Sequence, residues 1–345
     1  MNTPLTELLD LRLPLIQAPM AGVSTPGLAG AASGAGALGS IAVGAMTADA
    51  ADRAIAEALG ACDGPLNVNV FTHAPATRNP RREAAWLHRL EPWFSAFDAE
   101  PPAVLREIYP TLDAAPDLLD AILDHRPPVV SLHFGLPAPE TLRRLLLATA
   151  TSVAEARRLD AAGIDVIVAQ GWEAGGHRGV FEPARDEPLA TFDLLGHIVA
   201  AVSRPVVAAG GLSGGADIAR AAALGAAGVQ LGTAFVSCPE SAAGPAYRQA
   251  LADPGRTTTM TPVISGRPAR ALDNRFVREL AGFADEVPDY PVAYDAGKAL
   301  AAAAAATGSH DFDVMWCGTG PVRERALPAA DLVRAIADEL AAAAD

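Results

Sequence analysis

The chain has 345 residues, half of them apolar and only 5% aromatic, with 31 glycines and 28 prolines. It is too apolar for disorder and long enough to bury a large core of Ala, Val, Leu and Ile. Forty acidic against 26 basic side chains leave a formal charge of −14, which argues against a nucleic-acid binder, since such domains carry a basic face. Glu7, Asp10 and Arg12 interrupt the stretch where a secretory signal needs an apolar run, and nowhere do about 18 apolar residues follow one another unbroken. The chain therefore reads as soluble and cytoplasmic, with no membrane partner. Cys62, Cys238 and Cys317 show no metal-type spacing and read as reduced thiols, with no metal site.

Eight short apolar runs punctuate the chain in order: LPLIQAPM (13–20), ALGSIAV (37–43), PLNVNVF (65–71), PVVSLHF (128–134), LLLATA (145–150), DVIVAQ (165–170), PVVAAG (205–210) and GVQLGTAF (228–235). Ala-rich amphipathic stretches alternate with them, the pattern of βα units on a parallel sheet. Among these, TADAADRAIAEALGAC begins at the cap Thr47, and SVAEARRLDAAG has Ser152 as cap, Glu155 at the capping-box position and Gly163 as its stop. The predicted fold is an α/β protein, a (β/α)8 TIM barrel with a small helical lid; a doubly wound open sheet is the alternative.

Two regions break the repeat. The sequence places the barrel in 1–71 and 128–240, a Trp-containing helical insertion in 72–127, and a C-terminal helical lid that returns to the barrel in 241–345. Only nine residues, LPAPETLRR, separate Gly135 from the fifth run, fewer than a parallel crossover normally needs. The fourth barrel helix must be cut short there, leaving barrel wall exposed or covered by a second subunit, as in a homodimer.

In such a barrel the chemistry sits at the carboxyl ends of the strands. Gly210-Gly211 and Gly232-Thr233 fall after the last two runs, where backbone N–H groups cradle phosphate, pointing to a phosphate-bearing cofactor. The amides of Asn69 and Gln170 suit the edge of a planar heterocycle, or serve as satisfied polar caps. His177, in the glycine-rich EAGGHRG, is placed to act as a base or to donate to an anion. His73 and His133 also lie near strand ends, but His133 sits in an apolar run and reads as packed and hydrogen-bonded. Tyr290, Tyr294 and Lys298 are spaced four and four, with Pro291 suited to a first helical turn. One helix face would then offer two hydroxyls and an ammonium, for a small anion or as packed rings beside a snorkelling lysine.

PLIQAPMAGVSTPGLAGAASGAGALGSI, NVNVFTHAPA, SLHFGLP, AQGWEAGGHRG, PVVAAGGLSGG and VQLGTAF, in this order and spacing, resemble the nitronate monooxygenase family, formerly 2-nitropropane dioxygenases. Tyr290, Tyr294 and Lys298 match its class I subgroup. The resemblance covers nearly the whole chain and implies noncovalent FMN. Its contacts would be Asn69, Gln170, Gly175, Gly176, Gly210, Gly211, Gln230, Leu231, Gly232 and Thr233, with Ala18, Pro19 and Met20 against the isoalloxazine. It carries His177 over as the catalytic histidine and adds Tyr109 to a substrate pocket with Tyr290, Tyr294 and Lys298. The implied reaction is oxidation of an alkyl nitronate, propionate 3-nitronate in particular, by O2 through a flavin semiquinone, giving an aldehyde with nitrite and nitrate.

The chain departs from the family in having WCGTG, which puts Thr319 where a Gln is usual, and in the short connection at 136–144. Two rival readings remain: an NAD(P)H-dependent flavin reductase for enoyl thioesters or quinones on the same scaffold, and a non-catalytic barrel that binds a phosphorylated ligand.

Overall fold

A computed structural model describes residues 1–138, 145–321 and 325–343. All eight predicted runs form strands: β1 (Leu15–Gln17), β2 (Gly39–Ala42), β3 (Leu66–Phe71), β4 (Val129–His133), β5 (Leu145–Ala150) and β6 (Val166–Gln170), then, after the two-residue β7 (Gly176–His177), β8 (Val206–Ala209) and β9 (Gly228–Leu231). Neighbours pair in parallel around the ring, β6 beside β8 and β9 beside β1. A parallel bridge from Ile16 to Leu38 brings β2 back to β1, so the sheet closes as a TIM barrel rather than an open doubly wound sheet. All but β5 are shorter than their apolar runs. After Leu231, for instance, the chain turns at Gly232 into the short helix Thr233–Val236, and Phe235 is buried from that helix instead of from the strand.

The helices begin where their caps predict. Thr47 Oγ1 accepts from Ala50 N at the start of Ala48–Ala61, and Ser152 Oγ from Glu155 N at the start of Val153–Ala161. Glu155 does more than complete a cap box. Its buried carboxylate takes Thr151 N (2.7 Å), Thr151 Oγ1 (2.9 Å) and Phe181 N (2.7 Å), tying this helix to the loop beyond β7.

The segment 72–127 holds two kinds of helix. Pro116–His125 packs on Ala48–Ala61 and buries Leu118 and Ile122 in the core around the barrel, as a barrel helix does. Pro80–Ser95 instead packs on Val292–Ala306. There Trp86, Leu90 and Phe94 join Phe276, Leu300 and Phe312 in a second core, each such side chain contributing roughly 2 kcal/mol by burial. At the C-terminal end, Ala329–Ala342 packs on Gly215–Ala223 and Pro26–Gly34 and completes the ring of helices. The sequence reading missed a three-stranded antiparallel sheet of β7, β10 (Thr258–Thr261) and β11 (Ala269–Leu272). Of the short fourth crossover, residues 139–144 lie outside the described residues. Among the described residues no helix is long and apolar enough to cross a membrane.

Helix-on-strand packing is close at Gly39, where a Cβ would lie 2.1 Å from the Ala29 carbonyl oxygen, whereas around the exposed Gly60 nothing lies within 4 Å. Gly39→Ala should lower unfolding free energy by about 1–3 kcal/mol, and Gly60→Ala, inside a helix, should raise it by about 0.5–1 kcal/mol. Denaturant melts of the two variants check both signs.

Candidate active site

A cavity of about 810 Å³ opens at the carboxyl ends of the barrel strands. It gathers Ala18, Pro19 and Met20 beyond β1, Asn69 from β3, Gln170 from β6, Gly175, Gly176 and His177 from the loop after it, Gly210 and Gly211 beyond β8, and Gln230, Gly232 and Thr233 from the end of β9. Tyr109, Tyr290, Tyr294 and Lys298 line it from the lid side. One predicted contact falls outside: Leu231 alternates with Gln230, so its side chain is buried in the barrel core, and its carbonyl accepts from Ala18 N (2.8 Å).

Local chemistry explains each placement. Gly210 and Gly211 adopt φ of +118° and +69°, a region that only glycine enters at little cost, and their turn presents backbone to the cavity. Arg256 lines the same end; one of its terminal nitrogens donates to Gly320 O (3.0 Å), while its buried Nε has no partner among the described residues. Asn69 Nδ2 donates to Ser131 O (3.1 Å) and Oγ (3.0 Å), leaving its oxygen free of a donor among the described residues. Gln170 is more heavily used: Nε2 donates to His177 O (3.1 Å) and Oε1 accepts from Gly179 N (2.8 Å), with one Nε2 proton left over. Thr319 donates its N–H to Glu173 O (3.0 Å) and does not line the cavity, although Gly318 and Gly320 do.

His177 sits at the centre of an aromatic cage. Its ring centroid lies 5.2 Å from Tyr290, 5.8 Å from Tyr294, 5.8 Å from Phe134 and 4.9 Å from Trp316. Backbone pairing of β7 with β11 sets His177 opposite Ala269, and Nε2 lies 2.9 Å from Ser265 Oγ. His133 is packed as the sequence suggested, with Nδ1 3.1 Å from Thr149 Oγ1 and Nε2 3.2 Å from His177 O. Tyr290 does not share the helix of Tyr294 and Lys298, because Pro291 is the N-cap and the helix starts at Val292. Its ring still reaches the cage from the loop, edge-on to His73 at 5.0 Å.

Electrostatics favour an anion here. Lys298, the chain's single lysine, holds its ammonium 5.1 Å from the Tyr109 ring centroid and 5.5 Å from that of Tyr294, and it has no carboxylate partner among the described residues. Arg267 is 4% exposed, donates to the carbonyls of Arg178 and Val180 and lies 4.3 Å over the Phe134 ring, likewise without a carboxylate. Burial draws its guanidinium down only to about 10, so it stays cationic. Burial, then the neighbouring His133, Arg267 and His73, hold His177 well below the ordinary histidine range, so its ring is neutral. Burial raises the Tyr290 and Tyr294 hydroxyls, keeping them protonated donors. Phe134, Arg256, Ser265, Arg267 and Trp316 escaped the sequence reading; for Trp316 the signal was its place in WCGTG, the segment that carries Thr319.

The Nitronate monooxygenase family profile matches residues 2–339. A nitronate monooxygenase of Pseudomonas aeruginosa is 49% identical over 99% of both chains, and one of Paraburkholderia phytofirmans is 48% identical over 97% of this chain and 94% of its own. Among solved structures, nitroalkane oxidase from Streptomyces ansochromogenes superposes with a TM-score of 0.90 at 39% identity, covering 99% of this chain and 98% of its own. FabK from Thermotoga maritima gives 0.77 at 28% identity, with 100% and 97% covered. Fold and relatives thus define a TIM-barrel oxidoreductase. The chain belongs to the nitronate monooxygenase family.

Burial first, with Arg267 adding to it, also lowers His73 to about 4, and burial lowers His133 to about 4. The unfolded chain, with histidines near 6.5, binds more protons between these values, so stability should fall as pH drops from about 6.5 toward 4. At about 1.4 kcal/mol per pKa unit the loss is roughly 3 kcal/mol for each ring. Guanidinium melts at pH 7.5 and 5 should show about 2 kcal/mol of that loss for each ring, and His133→Gln should reduce it.

Proposed function

We propose that the protein holds FMN in this cavity and oxidises alkyl nitronates, propionate 3-nitronate in particular, with O2, giving the aldehyde together with nitrite and nitrate. The observation that carries the reading is the convergence on one cavity wall of a neutral His177, two protonated tyrosine hydroxyls and the only lysine ammonium, none paired with a carboxylate among the described residues. An otherwise acidic molecule has built an anion-receiving wall.

The residues present fit the cofactor. The positive-φ turn at Gly210 and Gly211, Thr233 and the partnerless Arg256 Nε suit its phosphate. The free oxygen of Asn69 and the spare proton of Gln170 suit the ring edge, and Ala18, Pro19 and Met20 offer an apolar surface. When bound, the flavin supplies the one-electron acceptor that couples nitronate oxidation to O2.

This chain's own residues bind and orient. Lys298 takes the substrate carboxylate at the mouth, while Tyr290 and Tyr294 donate toward the nitronate oxygens. His177 meets the reacting end of the substrate, as a donor to its oxygens or as an acceptor for the α-proton of a neutral nitroalkane. The second core closes the aromatic cage over that end.

Oxygen uptake with propionate 3-nitronate, and no pyridine nucleotide, tests the reading. Wild type should consume O2, and His177→Asn should retain flavin while losing turnover about a hundredfold; near-normal uptake by that variant would sink the assignment of His177. A flavin bleached by NADH in protein inert to nitronates would make the chain a reductase, and colourless protein that does not rebind FMN would make it a binding barrel. Lys298→Met should raise KM about tenfold for carboxylated nitronates, a difference of about 1.4 kcal/mol, and leave uncharged nitronates nearly unaffected. An equal effect on both would refute the carboxylate contact.

A further inference from the structure

We infer that Ser265 is a positioning residue for His177: its hydroxyl holds the imidazole as the Nε2–H tautomer and leaves Nδ1 as the nitrogen that meets the ligand. The catalytic meaning of this assignment rests on the function proposed above; the tautomer does not.

Ser265 is fully buried, so its hydroxyl must find its partners inside the protein. It has two: Arg267 O at 3.3 Å and His177 Nε2 at 2.9 Å. A carbonyl oxygen only accepts, so the serine proton goes to Arg267 O and the Oγ lone pair faces Nε2, which must then carry a hydrogen. The opposite arrangement, with Ser265 donating to Nε2, would strip the Arg267 carbonyl of its one donor among the described residues, in a residue that is 4% exposed. His133 obeys the same logic independently, since its Nε2 faces the His177 carbonyl and its Nδ1 the Thr149 hydroxyl.

The support is rigid. Ser265 N and Gly266 N both donate to Pro262 O (3.2 and 2.8 Å), and four residues after Ser265 the chain enters β11, where Ala269 pairs with His177. His177 Nδ1 has no hydrogen-bond partner among the described residues. What the ring offers the cavity is therefore an acceptor: Tyr290 and Tyr294 are left to serve the nitronate oxygens, and of the two roles given to His177 above the tautomer favours acceptance of the α-proton of a neutral nitroalkane.

The test is long-range ¹H–¹⁵N NMR on the full-length, flavin-loaded protein with ¹⁵N-labelled histidine rings. The chain has 7 histidines, and the signal lost in His177→Asn identifies the one that matters. Wild type should show His177 protonated at Nε2 and bare at Nδ1. Ser265→Ala should move it toward a mixture of tautomers and lower turnover of a neutral nitroalkane about ten- to a hundredfold with flavin content unchanged, and Ser265→Thr, which keeps the hydroxyl, should restore both. Protonation at Nδ1 in wild type would overturn the inference, as would an Ala variant that keeps both tautomer and rate. If Ser265→Ala fails to fold, the wild-type spectrum decides alone. An Nε2–H ring in a protein inert to nitronates would sink the proposed function and leave the assignment of Ser265 standing.

Discussion

The two-residue strand β7 places His177 through backbone hydrogen bonds from separate parts of the molecule, and most of the cavity's geometry depends on it. On one side it pairs with β11, so the position of the ring follows the C-terminal sheet. On the other, the His177 carbonyl accepts from both His133 on β4 and Gln170 on β6, tying the same residue to the barrel. The loop is braced below by Arg178, which is fully buried, pairs with Asp186 and donates to the carbonyls of Gln170 and Gly171. Removing one partner of such a pair strands a buried charge. A loop rich in glycine is thereby held by hydrogen bonds to β4, β6 and β11.

The charge of the site runs against the charge of the chain. Exposed carboxylates account for the net −14, but their fields are screened within roughly 8 Å at physiological ionic strength. Arg267 is buried behind Phe134 and screened far less. Its position helps to keep His177 and His73 neutral, and Lys298 adds a second cation at the mouth. The protonated hydroxyls of Tyr290 and Tyr294, with Lys298 and the buried Arg267 nearby, form a surface that discriminates for small anions.

How much of this was legible in the sequence depended on whether a signal was local. The barrel strands, buried on both faces, read as continuous apolar runs and could be counted; the caps at Thr47 and Ser152 and the glycine turn at Gly210 and Gly211 declared themselves by residue type. Leu231 was placed in the site with its neighbours, and strand alternation turns its side chain into the core, away from the cavity that Gln230 lines. Tyr290 joined its helix partners on spacing alone, and the structure breaks that helix at Pro291 while keeping the ring in the cage. Ser265 and Arg267 gave no signal, being ordinary residues 88 and 90 positions from His177 in the chain.

By itself, then, the order of apolar runs, caps and glycine turns determined the barrel and which strand ends carry the cavity, because hydrophobic period and backbone conformation are properties of neighbouring residues. Only the tertiary structure decided which nitrogen of His177 is free, which cation stands behind it, and that a two-residue strand pairs with β11. Those outcomes depend on distance and burial between segments far apart in sequence, where an arginine, a serine and a phenylalanine acquire their roles from what surrounds them.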